Sequence, residues 1–166
     1  MKYLLILLAL FTVLPSCQNA PSEAADQAAE QIDLGKEMPG VWESVSIHVQ
    51  INSAENQDTS YTFEVKEENW EQVLGMKPIK TYYELDNKYR TEYYSRFDSL
   101  TNVKRGMWNT FGDTLMLIEP DVTYQYSVEI LGNGLAQFTS TLDWDGDGVE
   151  DDVYTGVQRF VSKSTQ

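Results

Sequence analysis

The chain has 166 residues, of which 42% are hydrophobic, enough for one domain with its own core and too apolar for a disordered polymer. Its formal net charge is -14 with no cluster of Lys or Arg, so the surface repels phosphate backbones and anionic headgroups, and nucleic acid is not expected as a partner. The single cysteine rules out an intramolecular disulfide, leaving packing or a metal to staple the fold.

Residues 1–16 read as a signal peptide: Lys2 supplies a positive start, and Leu4 to Leu14 form an apolar run too short to span a bilayer. Leu14-Pro15-Ser16-Cys17 resembles the lipobox of bacterial lipoproteins, with Pro15 standing where that motif usually has a small residue. The resemblance implies lipidation of Cys17 and anchoring to a membrane of the cell envelope. Gln18 after the cysteine points to the outer membrane under enterobacterial sorting, on its periplasmic or its surface-exposed face. Residues 17–37, rich in Gln, Ala, Glu and Ser, lack an apolar stripe and read as a flexible tether. About 20 such residues average roughly 25 Å end to end.

Residues 38–164 change to period two. Val41, Val45, Ile47, Val49 and Ile51 alternate with polar residues from Gly40 onward, the pattern of a half-buried strand. Tyr61 to Val65 alternates again after a polar loop. Trp70, Val73 and Leu74 then give one helical signal, with Asn69 to cap it and Gly75 to end it. Strands follow over 80–85, 88–95, 103–109, 114–119, 123–130, 135–144 and 153–161, at hairpin spacing. Eight or nine short strands in a meander predict an all-β, antiparallel up-and-down barrel with one short helix, because closure removes the edges. An open sandwich is the alternative.

Gly40-Val41-Trp42 at the start of this meander and Arg159 near its end resemble the lipocalin, or wider calycin, pattern. Arg105-Gly106-Met107-Trp108 and Gly112-Asp113-Thr114-Leu115 are similar to the lipocalin-like lipoproteins of Gram-negative bacteria. The resemblance implies that Arg159 lies over the Trp42 indole and closes one end of the barrel through a cation–π contact. With only Ser162 to Gln166 after the last strand, the long helix that follows the barrel in lipocalins is not expected here. Trp42 also shares its strand face with Ser44, Ser46, His48 and Gln50, so either a bulge follows Trp42 or the interior there is polar; a bulge is the favoured reading.

Chemistry concentrates in the loop before the last strand. Asp143, Asp145 and Asp147, with Gly148 next, stand at positions 1, 3, 5 and 6 of a calcium loop. The Val149 carbonyl falls at position 7, Asp151 at 9 and Asp152 at 10, while Tyr154 replaces the bidentate Glu of an EF-hand. The segment is similar to the calcium repeats of thrombospondin type 3 and dockerin modules. A structural calcium ion of weak, extracellular-type affinity is expected, around 10⁻⁴ to 10⁻³ M.

The other candidate site is aromatic. Tyr82, Tyr93, Trp108, Tyr124 and Tyr126 crowd the middle strands and could line a pocket for a small, partly apolar or aromatic ligand. The same rings could instead fill a small barrel completely, giving a structural or protein-interaction module of the envelope with no ligand. His48 is the only histidine, and no carboxylate pair stands out beyond the acidic loop, so an enzyme is not expected.

Overall fold

The computed structural model describes residues 32–53 and 60–163. The signal peptide, Cys17 and most of the tether lie outside these residues.

Alternating strands and tight turns produce nine strands: β1 (Gly40–Ile51), β2 (Tyr61–Val65), β3 (Lys80–Tyr83), β4 (Lys88–Tyr94), β5 (Leu100–Phe111), β6 (Thr114–Ile118), β7 (Thr123–Gly132), β8 (Leu135–Leu142) and β9 (Asp152–Ser162). All neighbours pair antiparallel, and β9 returns to β1, so β1 and β3 to β9 close an eight-stranded barrel. The extra strand exists because β1 is long. Its first residues, Gly40–Glu43, pair with β3, while Ile47–Ile51 pair with β2 on the same edge.

The alternation of β1 does flip. Opposite β9 the register shifts between Ser44 and Ser46, leaving Val45 as the extra residue. Trp42 therefore points inward before the bulge, and Ile47, Val49 and Ile51 point inward after it. One strand thereby serves two cores. At one end, Leu34, Met38, Trp42, Tyr83, Tyr89, Trp108, Leu115 and Phe138 pack together; at the other, Ile47, Val49, Ile51, Val65 and Trp70 do.

A helical turn, α1 (Leu34–Glu37), plugs the first end. Leu34 is 3% exposed and Met38 fully buried, and the Trp42 Nε1–H donates to the Met38 carbonyl at 2.9 Å. These two apolar side chains cap that end of the barrel. The second helix, α2 (Trp70–Leu74), covers the opposite end. Trp70 anchors it in the core and the Gly75 N–H returns to the Glu71 carbonyl, as expected. Val73 departs from the predicted apolar face and is exposed. Asn69 does not cap α2 either; its side chain accepts from the Lys66 N–H at 2.7 Å and closes the preceding turn.

The expected cation–π closure between Arg159 and Trp42 is corrected. Asp152, Tyr154, Gly156, Gln158 and Phe160 take the inward parity of β9, which turns Arg159 outward. Its guanidinium makes two 2.8 Å bonds to the Glu67 carboxylate instead. Phe160 meets the Trp42 indole edge-on at 5.3 Å, so an aromatic ring takes the place expected for the arginine. The same ring accounts for Gly40: a Cβ there would lie 2.5 Å from Phe160 Cε2.

Candidate functional site

Between the two cores the barrel is not full. A half-open cavity of about 420 Å³ occupies the lumen, within the size range of small-molecule pockets. Its floor is built by Tyr83, Tyr89 and Phe138, which rest on the plugged end. Tyr93, Tyr124, Tyr126 and Tyr154 form the wall, and Ile79, Leu142 and Trp144 stand at the side of the acidic loop. Strand parity produces this lining: Tyr83 on β3, Tyr89 and Tyr93 on β4, Tyr124 and Tyr126 on β7 and Tyr154 on β9 all take inward positions, because period two puts alternate residues on one face.

The rings brace one another. Tyr126 meets Phe138 and Tyr154 edge-on at 6.3 and 5.9 Å, and Tyr83 meets Trp108 at 5.8 Å. The Tyr89 hydroxyl donates to Glu119 Oε1 at 2.8 Å. Burial, then the Glu119 carboxylate, holds the Tyr89 phenol well above the ordinary phenol range. Burial alone does most of the same for Tyr83 and Tyr126, and pushes Tyr154 up to about 12. These hydroxyls therefore remain protonated, as hydrogen-bond donors, at any physiological pH.

Of the five aromatic residues expected to bind a ligand, Tyr93, Tyr124 and Tyr126 line the cavity. Trp108 does not. It is 4% exposed beneath the floor, with its Nε1–H on the Glu84 carbonyl at 2.9 Å, and it supports Tyr83. Tyr82 faces outward, where the Arg90 guanidinium lies 3.8 Å from its ring centre and bonds to Glu84 and Glu92. The sequence reading passed over Lys104, Glu119, Trp144, Tyr154 and Gln158, which also line the cavity. Tyr154 and Gln158 could have been found from inward parity with Phe160. His48 is exposed on β1, paired with Glu64 and Thr155, and does not line the cavity.

Compared with known proteins, the chain matches no family model and no curated sequence.

The acidic loop abuts the cavity. The Asp143 carboxylate accepts from the Gly146 N–H at 2.8 Å and the Gly148 N–H at 3.0 Å, which curls the loop back on its first residue. Gly148 permits this with a φ of 92°. Asp152 is fully buried; its carboxylate accepts from the Trp144 N–H at 2.8 Å, the Asn52 N–H at 3.2 Å and the Asp145 N–H at 3.4 Å. Carboxylate oxygens of Asp143, Asp145 and Asp152 lie within 4.8 Å of one another, so this triad could hold a metal ion. Desolvation, with help from the carboxylates of Asp147, Asp152 and Asp143, raises the Asp145 carboxyl above its ordinary range.

The rest of the expected ligand set takes part in the hydrogen bonds of the loop and its neighbour Ser53. Asp147 accepts from the Val149 N–H at 2.8 Å, and Asp151 accepts from the Ser53 hydroxyl at 3.1 Å. Val149 is exposed, and its backbone takes part through that N–H. Trp144 links loop to cavity: it stacks on Tyr154 at 5.8 Å and packs against Phe63 at 5.7 Å.

Proposed function

We propose that the barrel is a binding module for a small, partly apolar ligand, held in the tyrosine-lined lumen. The observation that carries this reading is the cavity of about 420 Å³, since a barrel packed solid by its aromatics would have no such space. The walls offer ring faces for an apolar body and phenol hydroxyls for polar atoms, the mixture that fixes a ligand's orientation. Native mass spectrometry of detergent-extracted protein is expected to show a co-purified small molecule, lost when Tyr126 and Tyr154 are replaced by Trp to fill the lumen. A parent protein that carries nothing and takes up no apolar probe would sink the binder.

The acidic loop is read as a structural calcium site. Its donors are hard carboxylate oxygens, which suit calcium, and its turns are already formed by backbone N–H groups. At 1 mM calcium and a dissociation constant of 10⁻⁴ to 10⁻³ M, binding would add about 0.4 to 1.4 kcal/mol of stability. The melting temperature of the parent should therefore rise by a few degrees over its value in chelator, and Asp143→Asn with Asp145→Asn should abolish the rise. A parent melting curve unmoved by calcium would rule the site out.

The chain is further read as a lipid-anchored envelope protein, on the lipobox resemblance at Cys17. Cys17→Ser is expected to shift the protein from the membrane to the soluble fraction and to remove the acyl mass from its N-terminus. An unchanged distribution and mass would reject the anchor. Within the described residues the chain enters the barrel at the plugged end, through α1, while the acidic loop and α2 lie at the other. The lipocalin-like relationship is retained as part of this reading, resting on the closed eight-stranded barrel and Gly40-Val41-Trp42.

A further inference from the structure

Five tyrosine hydroxyls on the cavity lining, those of Tyr83, Tyr93, Tyr124, Tyr126 and Tyr154, have no hydrogen-bond partner among the described residues. The two carboxylates on the wall are already engaged, Glu119 by the Tyr89 hydroxyl and Asp143 by the Gly146 and Gly148 N–H groups. Gln158 adds an amide whose buried Oε1 has no partner; turned over, the same amide presents its N–H groups.

Charge points the same way. Lys104 is the one cationic side chain on the cavity wall among the described residues. Seven other basic side chains there form ion pairs with carboxylates, and Lys104 forms none. Arg96, Arg105 and Lys163 form none either, but Lys104 alone of these four lines the cavity. Its position is inward by the parity of β5, shared with Gly106 and the buried Trp108, and directly across from Thr91. The Nζ lies 5.8 Å from the Tyr124 ring centre, and its charge is felt at the Tyr93 phenol.

We infer that the cavity takes a small carboxylic acid with an aromatic or short apolar body. The carboxylate meets the Lys104 ammonium and the Tyr93 and Tyr124 hydroxyls, and the body lies deeper, against Tyr126, Tyr154 and Phe138. A ligand carboxylate supplies acceptor lone pairs to donors that lack them, and charge-assisted bonds of this kind are about twice as strong as neutral ones. The acidity of the whole protein opposes an anion at long range, but salt screens that field over about 10 Å while the local donors act in contact. This inference rests on the cavity-binding reading above and names the ligand class for it.

Three probes that share one body test it: 4-phenylbutanoic acid, 4-phenylbutanamide and 4-phenylbutylamine, titrated calorimetrically into the full-length, detergent-solubilised protein at pH 7. The acid is expected to bind about 10- to 100-fold more tightly than the amide, the range of one charge-assisted hydrogen bond, and the amine more weakly than either. Lys104→Met should remove most of the acid's advantage over the amide while leaving the melting temperature unchanged, since the side chain is exposed and outside both cores. Tyr93→Phe, which keeps the ring, should cost the acid about 3- to 10-fold. Equal affinity for acid and amide, tighter binding of the amine, or an acid affinity indifferent to Lys104→Met would overturn the carboxylate assignment and leave the cavity reading standing. No binding of any probe at millimolar concentration would overturn both.

Discussion

Trp42→Ala is expected to lower the unfolding free energy by about 3 to 5 kcal/mol, a large share of the roughly 5 to 15 kcal/mol typical of a domain. The indole is 3% exposed, and its ring edge-contacts join Phe138 on β8 to Phe160 on β9. Its Nε1–H holds the Met38 carbonyl, so truncation would also unseat the α1 plug. Arg159→Met should stay within about 1 kcal/mol, because its ion pair with Glu67 is half exposed at the surface. Urea unfolding of both variants separates two ways of closing the barrel. If Arg159 stacked on Trp42, the two losses would be comparable. With Phe160 in that place, they should differ several-fold.

The second large effect is expected from Asp152→Ala. This carboxylate is fully buried and accepts three backbone N–H groups, from Asn52, Trp144 and Asp145. The bonds are part-buried and end on a carboxylate that is itself fully buried, so a loss of about 3 kcal/mol is expected, measured in chelator to remove any metal contribution. Asp152→Asn keeps one acceptor oxygen and should lose about half as much. Asp143→Ala, whose N–H partners at Gly146 and Gly148 are exposed, should lose under about 1 kcal/mol. Equal losses for Asp143→Ala and Asp152→Ala would show that the loop is held by its outer turns rather than by the buried carboxylate. Because Asp152 fixes the Trp144 backbone, its removal should also shift tryptophan emission as the ring leaves Tyr154.

Both expectations concern features that local pattern only half reveals. The strand series was legible because period two and paired turn residues are written residue by residue, and closure follows from the need to hide edges. The β1 bulge was legible too, as a conflict between Trp42 and the apolar set Val41, Val45, Ile47, Val49 and Ile51 on the opposite face. What it accomplishes was not, because two separate cores exist only once β2 and β3 share one edge of β1. The acidic loop was recognisable by spacing, yet six similar carboxylates could not be ranked. Asp152 became the buried one through the inward parity of β9, and that depends on pairing with β8 and β1.

The sequence by itself determined the all-β class, the hairpin order, the helix closed at Gly75 and the loop where carboxylates converge, since all of these arise from neighbours in the chain. The tertiary structure alone decided which aromatic ring seals the barrel, which tyrosines face the lumen, and that Lys104 stands there unpaired. These are relations across strands, set by register. A shift of one residue in that register exchanges inside for outside at every position of a strand.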